Sequence, residues 1–275
     1  MIHGTVTPTP PRPHSADRVP LVLLHAFPLH SAMWDAQRRA LARAGHPVIA
    51  PDQRGFGATA LGEDPPSLLH VADDLARTLD RNGIRRAVFA GCSMGGYVAM
   101  TFLRRHPDRA LGLAFLATRA EADPPETVAA REGFARRVLQ AGHREELLAE
   151  TVPLLVGPTT LRRRTSVVDR LTADVTAAAA ASMAWAQRAM AARRCSLDVL
   201  QETDVPAVVI AGDEDGLVRR DEAEHLTATL PQGQLVVVPG AGHLTPMEAP
   251  DAVTTALLEL VSEAGKAEHT GRDSR

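Results

Sequence analysis

Short, nearly continuous apolar runs alternate with longer stretches of helical periodicity along most of this chain. The runs are residues 20–24, 47–50, 86–90, 111–117, 207–211 and 234–238. Apolar side chains on both faces of a short run predict strands buried on both sides. Between them, Ser31 opens a segment with Trp34, Leu41 and Ala44 on one face, closed by Gly45. Ser67 opens another, with Leu68, Val71, Leu75 and Leu79 at helical spacing, ending at Asn82-Gly83. Further helices are predicted over 97–105 (stopped at His106-Pro107), 221–230 and 246–262. Strand and helix alternating through short connections predict an α/β fold, with a mostly parallel sheet covered by helices on both faces.

The alternation breaks between residues 120 and 200. Propensity there favours helices over 128–139, 144–151 and the alanine-rich 171–194, and no run reads as a strand. The α/β core therefore spans residues 19–119 and 201–264, with 120–200 expected to be an inserted helical cap. Residues 1–18, with four prolines between Pro8 and Pro13, read as a proline-rich extension. Residues 265–275 are polar and read as a flexible tail.

Composition removes several function classes. At 275 residues with 45% hydrophobic content, the chain can bury one large core. A formal net charge of −3 and the lack of a basic stripe argue against a nucleic-acid partner. Two cysteines, Cys92 and Cys195, make no disulfide framework. There is no basic-then-apolar leader and no uncharged run of membrane-spanning length, so a cytoplasmic protein without a membrane partner is expected. No His/Cys/Asp/Glu group has metal-ligand spacing and no glycine-rich phosphate loop is present, so neither metal nor cofactor is expected. Oligomeric state is not legible.

Chemistry concentrates at one edge. Ligands of open parallel sheets bind beyond the carboxyl ends of the strands. Four such ends carry His25-Ala26-Phe27-Pro28, Gly91-Cys92-Ser93-Met94-Gly95-Gly96, Gly212-Asp213-Glu214-Asp215 and Gly240-Ala241-Gly242-His243. The second is a Gly-x-Ser-x-Gly between a strand and a helix, which puts a serine on a strained turn with its hydroxyl clear of the sheet. A nucleophile, an acidic loop and a glycine-flanked histidine follow in that order.

These residues resemble the α/β-hydrolase superfamily, close to its small capped esterase, lactonase and cofactor-free peroxidase-like branch. The resemblance rests on Leu23-Leu24-His25-Ala26-Phe27-Pro28, Trp34, Asp52-x-Arg54-Gly55-Phe56-Gly57, Gly91-x-Ser93-Met94-Gly95-Gly96, Gly212-x-x-Asp215, and Gly240-x-Gly242-His243 followed by Glu248-x-Pro250. It covers residues 20–262. The chain departs from it at Ala26, where the family usually has glycine, and at its N-terminus, where the family usually has an antiparallel hairpin.

The resemblance implies a triad of Ser93, Asp215 and His243, with the backbone N–H groups of Phe27 and Met94 as the oxyanion hole. Asp213 is the rival acid, and the family's spacing from the glycine favours Asp215. The implied activity is hydrolysis of a carboxylic ester or lactone of a small, mainly apolar molecule. Thioester, C–C and perhydrolase chemistry use the same triad, and a non-turnover binding protein is the rival from another class. A serine at residue 93 argues against the dehalogenase and epoxide hydrolase branches, which carry aspartate there. Trp185 and Leu244 are the candidate pocket-wall residues. Plainer roles suit the rest: Asp52 and Arg54 pin their loop, His25 is structural, Cys92 is a small buried side chain, Met183 and Met190 pack the cap, and Arg162–Arg164 is a solvated helix end.

Overall fold

The computed structural model describes residues 4–6, 18–140 and 142–273. Its seven strands are β1 (Gly4–Val6), β2 (Leu21–Leu24), β3 (Val48–Pro51), β4 (Ala87–Cys92), β5 (Ala110–Leu116), β6 (Ala207–Gly212) and β7 (Gly233–Val238). They form one sheet in the order β1-β3-β2-β4-β5-β6-β7. All neighbours from β3 to β7 pair in parallel, and β1 pairs antiparallel with β3. Strands β2 to β6 are buried along their whole length, as their uninterrupted apolar runs require.

Helices α1 (Asp35–Arg43), α2 (Leu68–Arg81) and α3 (Met94–Arg105) follow β2, β3 and β4. Ser67 caps α2 by accepting from the Leu69 N–H. The turn before α1 starts differently from expectation. A 3-10 turn covers Ser31–Trp34, and its cap is the His30 ring, whose Nδ1 accepts from the Ala32 N–H, while the Ser31 N–H donates to Asp52.

Between β5 and β6 the described residues are helical: α4 (Pro125–Arg137), α5 (Arg144–Thr151), α6 (Pro158–Arg163), α7 (Thr165–Ala177), α8 (Ala180–Ala191) and α9 (Leu197–Gln201). Here α4 packs on α8, while α9 returns to α3. The chain closes with α10 (Arg220–Thr229), α11 (Thr245–Glu248) and α12 (Pro250–Asp273). No helix among the described residues is long and apolar enough to cross a membrane.

Two readings of the termini need correction. Residues 4–6 lie within the expected proline-rich extension yet form an edge strand, in register Gly4↔Pro51 and Val6↔Ile49. The first proline is Pro8, so nothing in Gly4–Val6 removes a ladder donor; residues 7–17 lie outside the described part. At the other end, α12 runs through Gly265 to Asp273, where a flexible tail is expected. One helix-interior glycine costs only about 1 kcal/mol. The adjoining Glu268 pairs with Arg86 at 3.7 Å, which helps carry the helix on.

Candidate active site

Strand β4 delivers Ser93 at the apex of a turn too tight for any side chain at its flanks. A Cβ at Gly91 would collide with the Gly95 carbonyl, and one at Gly95 with the Leu24 carbonyl at the end of β2. Ser93 itself sits at φ 51°, ψ −112°, a conformation L-residues rarely adopt. Its backbone is held from both sides. Ser93 N–H donates to the Leu116 carbonyl at 2.8 Å, and the Thr118 hydroxyl donates to the Ser93 carbonyl at 3.0 Å. Ala117, between those two partners, is the other non-glycine residue with positive φ among the described residues, at 48°.

The acidic loop after β6 separates its two aspartates. Asp215 approaches His243 Nδ1 with both oxygens, at 3.0 and 3.2 Å, and accepts from the Leu217 and Val218 N–H groups. Asp213 accepts from the Gly240 N–H at 2.7 Å. Burial raises the Asp215 pKa, but the charge and hydrogen bond of His243 and the two backbone donors outweigh it, and the net shift is downward. The histidine loop lies against the elbow, since the Cys92 thiol points to the His243 carbonyl at 3.8 Å. Burial pushes the Cys92 thiol well above its ordinary pKa, and the charges of Asp215 and Glu248 push it further. That suits a packing residue and not a nucleophile.

Phe27 follows β2 on the same edge. As the first residue of α3, Met94 has no helical acceptor for its N–H, and the Phe27 N–H has none among the described residues. His25 anchors this loop: its Nδ1 donates to the Ala26 carbonyl, and its Nε2 accepts from the Gln53 N–H at 2.8 Å. Its pKa is lowered to about 4, chiefly by burial, so the ring is neutral at pH 7 and serves as a fixed strut. Asp52 ties the Ser31 and Ala58 N–H groups together, and Arg54 bridges Asp74 and Asp64. Where the family usually has glycine, the Ala26 methyl is fully buried and its N–H points to Met33 Sδ.

The two pocket-wall candidates are both buried. Leu244 is fully buried beside His243. Trp185 donates its Nε1–H to the Asp64 carbonyl at 2.8 Å, which ties α8 to the loop below it. The ring that meets the Phe27 loop from above is Phe134 of α4, edge-on to Phe27 with centroids 5.6 Å apart; Phe27 in turn is edge-on to Phe56. Sequence reasoning did not single out Phe134, because its helix has almost no amphipathic pattern. It also missed Thr118, which carries no motif, and Asp123, whose partners lie up to 70 residues away.

A groove of about 700 Å³ lined by Arg85, Arg86, Asp108 and Asp204 lies at the amino ends of β4–β6, the opposite edge from Ser93. Among the described residues no group of three or more His, Cys, Asp or Glu side chains is placed to hold a metal.

Comparison with known proteins agrees with this architecture. The profile of the alpha/beta hydrolase fold matches residues 19–250, and the chain belongs to that family. It is 27% identical to epoxide hydrolase A of Mycobacterium tuberculosis, over 88% of this chain and 90% of that protein. It is also 27% identical to a non-heme haloperoxidase of Rhodococcus erythropolis, over 88% and 92% of the two chains. Among solved structures, a thermophilic esterase from Thermogutta terrifontis superposes with a TM-score of 0.89 at 35% identity, covering 96% of this chain and 94% of that one. Such relatives support hydrolase activity on small molecules.

Proposed function

We propose that the chain is a serine hydrolase that cleaves a carboxylic ester or lactone of a small, mainly apolar molecule through an acyl-enzyme on Ser93. The observation that carries this reading is the pairing of a strained elbow serine with a buried His243–Asp215 pair on the next loops. A neutral serine hydroxyl is a poor nucleophile. As Ser93 Oγ bonds to the acyl carbon, His243 takes its proton, and Asp215 holds the ring with Nδ1 protonated and steadies the imidazolium. The carbonyl oxygen becomes an oxyanion held by the N–H groups of Phe27 and Met94, each such donor being worth about 3–4 kcal/mol of barrier. Collapse breaks the acyl–oxygen bond, and His243 protonates the leaving alkoxide. Water then attacks the acyl-enzyme by the same path in reverse roles, which frees the acid and restores Ser93.

The aromatic contacts of Phe27 with Phe134 and Phe56, and the burial of Leu244, support an apolar acyl or alkoxy group. The sequence likeness to an epoxide hydrolase does not favour epoxide opening, because this chain has serine at the apex. A screen of p-nitrophenyl esters of graded chain length, run beside lactones and acyl thioesters, tests the reading. A burst of one nitrophenol per chain is the expected signature. Binding without any turnover or burst would leave a ligand-binding protein on a hydrolase scaffold.

A further inference from the structure

Glu248 is the last residue of α11 and is almost fully buried, 3% exposed. A carboxylate so placed must be surrounded by donors, and the donors it finds come from two parts of the chain. Oε1 accepts from the Leu244 N–H at 3.0 Å, next to His243. Oε2 accepts from the Gly157 N–H at 2.8 Å and the Thr160 hydroxyl at 2.7 Å, at the start of α6. The residue before α6 is Gly157, which has no side chain to cap the helix, so a carboxylate 91 positions away satisfies its N–H.

The same segment grips the acid loop. Glu214, the neighbour of Asp215, accepts from the Thr159 N–H at 2.7 Å and from the Thr159 hydroxyl at 2.5 Å. Its own N–H donates to the Ala241 carbonyl, which ties the acid loop to the histidine loop. Arg164, just past α6, donates to the Gly240 carbonyl at 2.7 Å. Backbone meets backbone at the centre, where a Cβ on Gly242 would collide with the Gly157 nitrogen. Residues 157–164 therefore touch the loops of both Asp215 and His243, and Glu248 is the joint that reaches the position beside the histidine.

We propose that Glu248 is a positioning residue for the hydrolase reaction: its carboxylate locks the start of α6 to the His243 loop and so sets where the imidazole stands relative to Ser93 and Asp215. This rests on the serine-hydrolase reading. A pure fold-stabilising role would predict the same contacts, but it would not connect them to the histidine's chemistry. One consequence separates the roles. Displacing a general base by a fraction of an ångström slows the chemical step and leaves substrate binding nearly intact.

The test compares wild type with Glu248→Gln and Thr160→Val, using the best nitrophenyl ester and a fluorophosphonate probe to count active Ser93. An amide at residue 248 keeps the shape but turns one acceptor into a donor facing a donor. Per labelled site, Glu248→Gln is expected to lower kcat by about 10- to 100-fold with KM within about threefold. Thr160→Val removes one of the two bonds that Glu248 accepts from the α6 side, together with the Arg164 donation to the Thr160 hydroxyl, and a smaller fall in kcat of the same kind is expected. It carries the test if Glu248→Gln does not fold. Wild-type kcat and KM per labelled site, with only the melting temperature lowered, would overturn the positioning role alone. Wild type that is not labelled at Ser93 would instead overturn the hydrolase reading, and the positioning role with it.

Discussion

Asp215 and Asp213 leave the same end of β6 and serve different partners: Asp215 holds His243 Nδ1 at 3.0 Å, and Asp213 holds the Gly240 N–H at 2.7 Å. Only the first can orient an imidazole. An amide at residue 215 would offer the ring the wrong partner and stabilise the wrong tautomer, a defect that costs about 10⁴ in kcat in a serine protease. Asp215→Asn is therefore expected to lose several orders of magnitude. Asp213→Asn keeps an oxygen for Gly240 and should stay within about tenfold of wild type, the scale of one neutral hydrogen bond. Steady-state kinetics on one ester checks both, and reversed effects would move the acid to Asp213.

What was legible in the sequence was what local pattern encodes. The order of Ser93, the Asp213–Asp215 loop and His243 follows from strand ends that are visible as apolar runs, and so does the parallel sheet. Choosing Asp215 over Asp213 needed a family's spacing, since two residues on one loop share every local signal. Contacts across long separations were not readable. Glu248 reaches Gly157 over 91 positions, and nothing near either residue announces the other. Weak signals also misled at the ends of the chain. A proline cluster hid the three-residue strand before it, and the polar character of residues 265–275 hid the end of a helix in which Lys266, Ala267 and Glu268 favour continuing.

Strain at Ser93 separates stability from activity. A residue held at φ 51°, ψ −112° costs about 1–3 kcal/mol that glycine would not pay. Ser93→Ala keeps the strain, so it should unfold like wild type and lose fluorophosphonate labelling and esterase turnover. Ser93→Gly should be equally inactive yet more stable than Ser93→Ala by about 1 kcal/mol in urea unfolding, after the extra chain entropy of glycine is deducted. A glycine variant less stable than the alanine one would mean that the elbow is not strained.

Trp185 and Phe134 divide the labour expected of a pocket wall. The Trp185 indole is spent on the Asp64 carbonyl, and Asp64 is itself held by Arg54. Trp185→Ala should cost about 3–5 kcal/mol, as large aromatic truncations in buried sites do, with little change in the ranking of ester chain lengths. Phe134 faces Phe27 from α4. Phe134→Ala should shift that ranking toward bulkier acyl groups by about 10-fold or more. The chain-length series measured on both variants decides, and a ranking that moves only with Trp185 would exchange the two roles.

Asp123 joins three parts of the chain through one carboxylate. It lies between Arg131 of α4 at 2.6 Å and Arg193, just beyond α8, at 2.5 Å; its side chain is 1% exposed and that of Arg193 is 4%. The Arg193 guanidinium also stacks 4.0 Å above the Tyr97 ring, one helical turn after Ser93. Burial raises the Asp123 pKa, but the hydrogen bonds from Arg193 and Arg131 and their charges more than reverse it, and the folded value falls below 3.8. A depressed carboxylate pKa contributes stability that is present above the unfolded value and is lost as pH falls through the folded one. Removing the acid leaves two guanidinium groups without their shared counter-charge, one of them buried. Asp123→Asn is therefore expected to cost about 3–5 kcal/mol at pH 7, the range for breaking a buried ion pair on one side. The loss should shrink as the pH is lowered below 3.8, because the wild-type pair is then being titrated away. Denaturant unfolding of both proteins at pH 7 and near pH 3 measures it, and a loss that stays constant over that range would show that Asp123 contributes through its shape and not its charge.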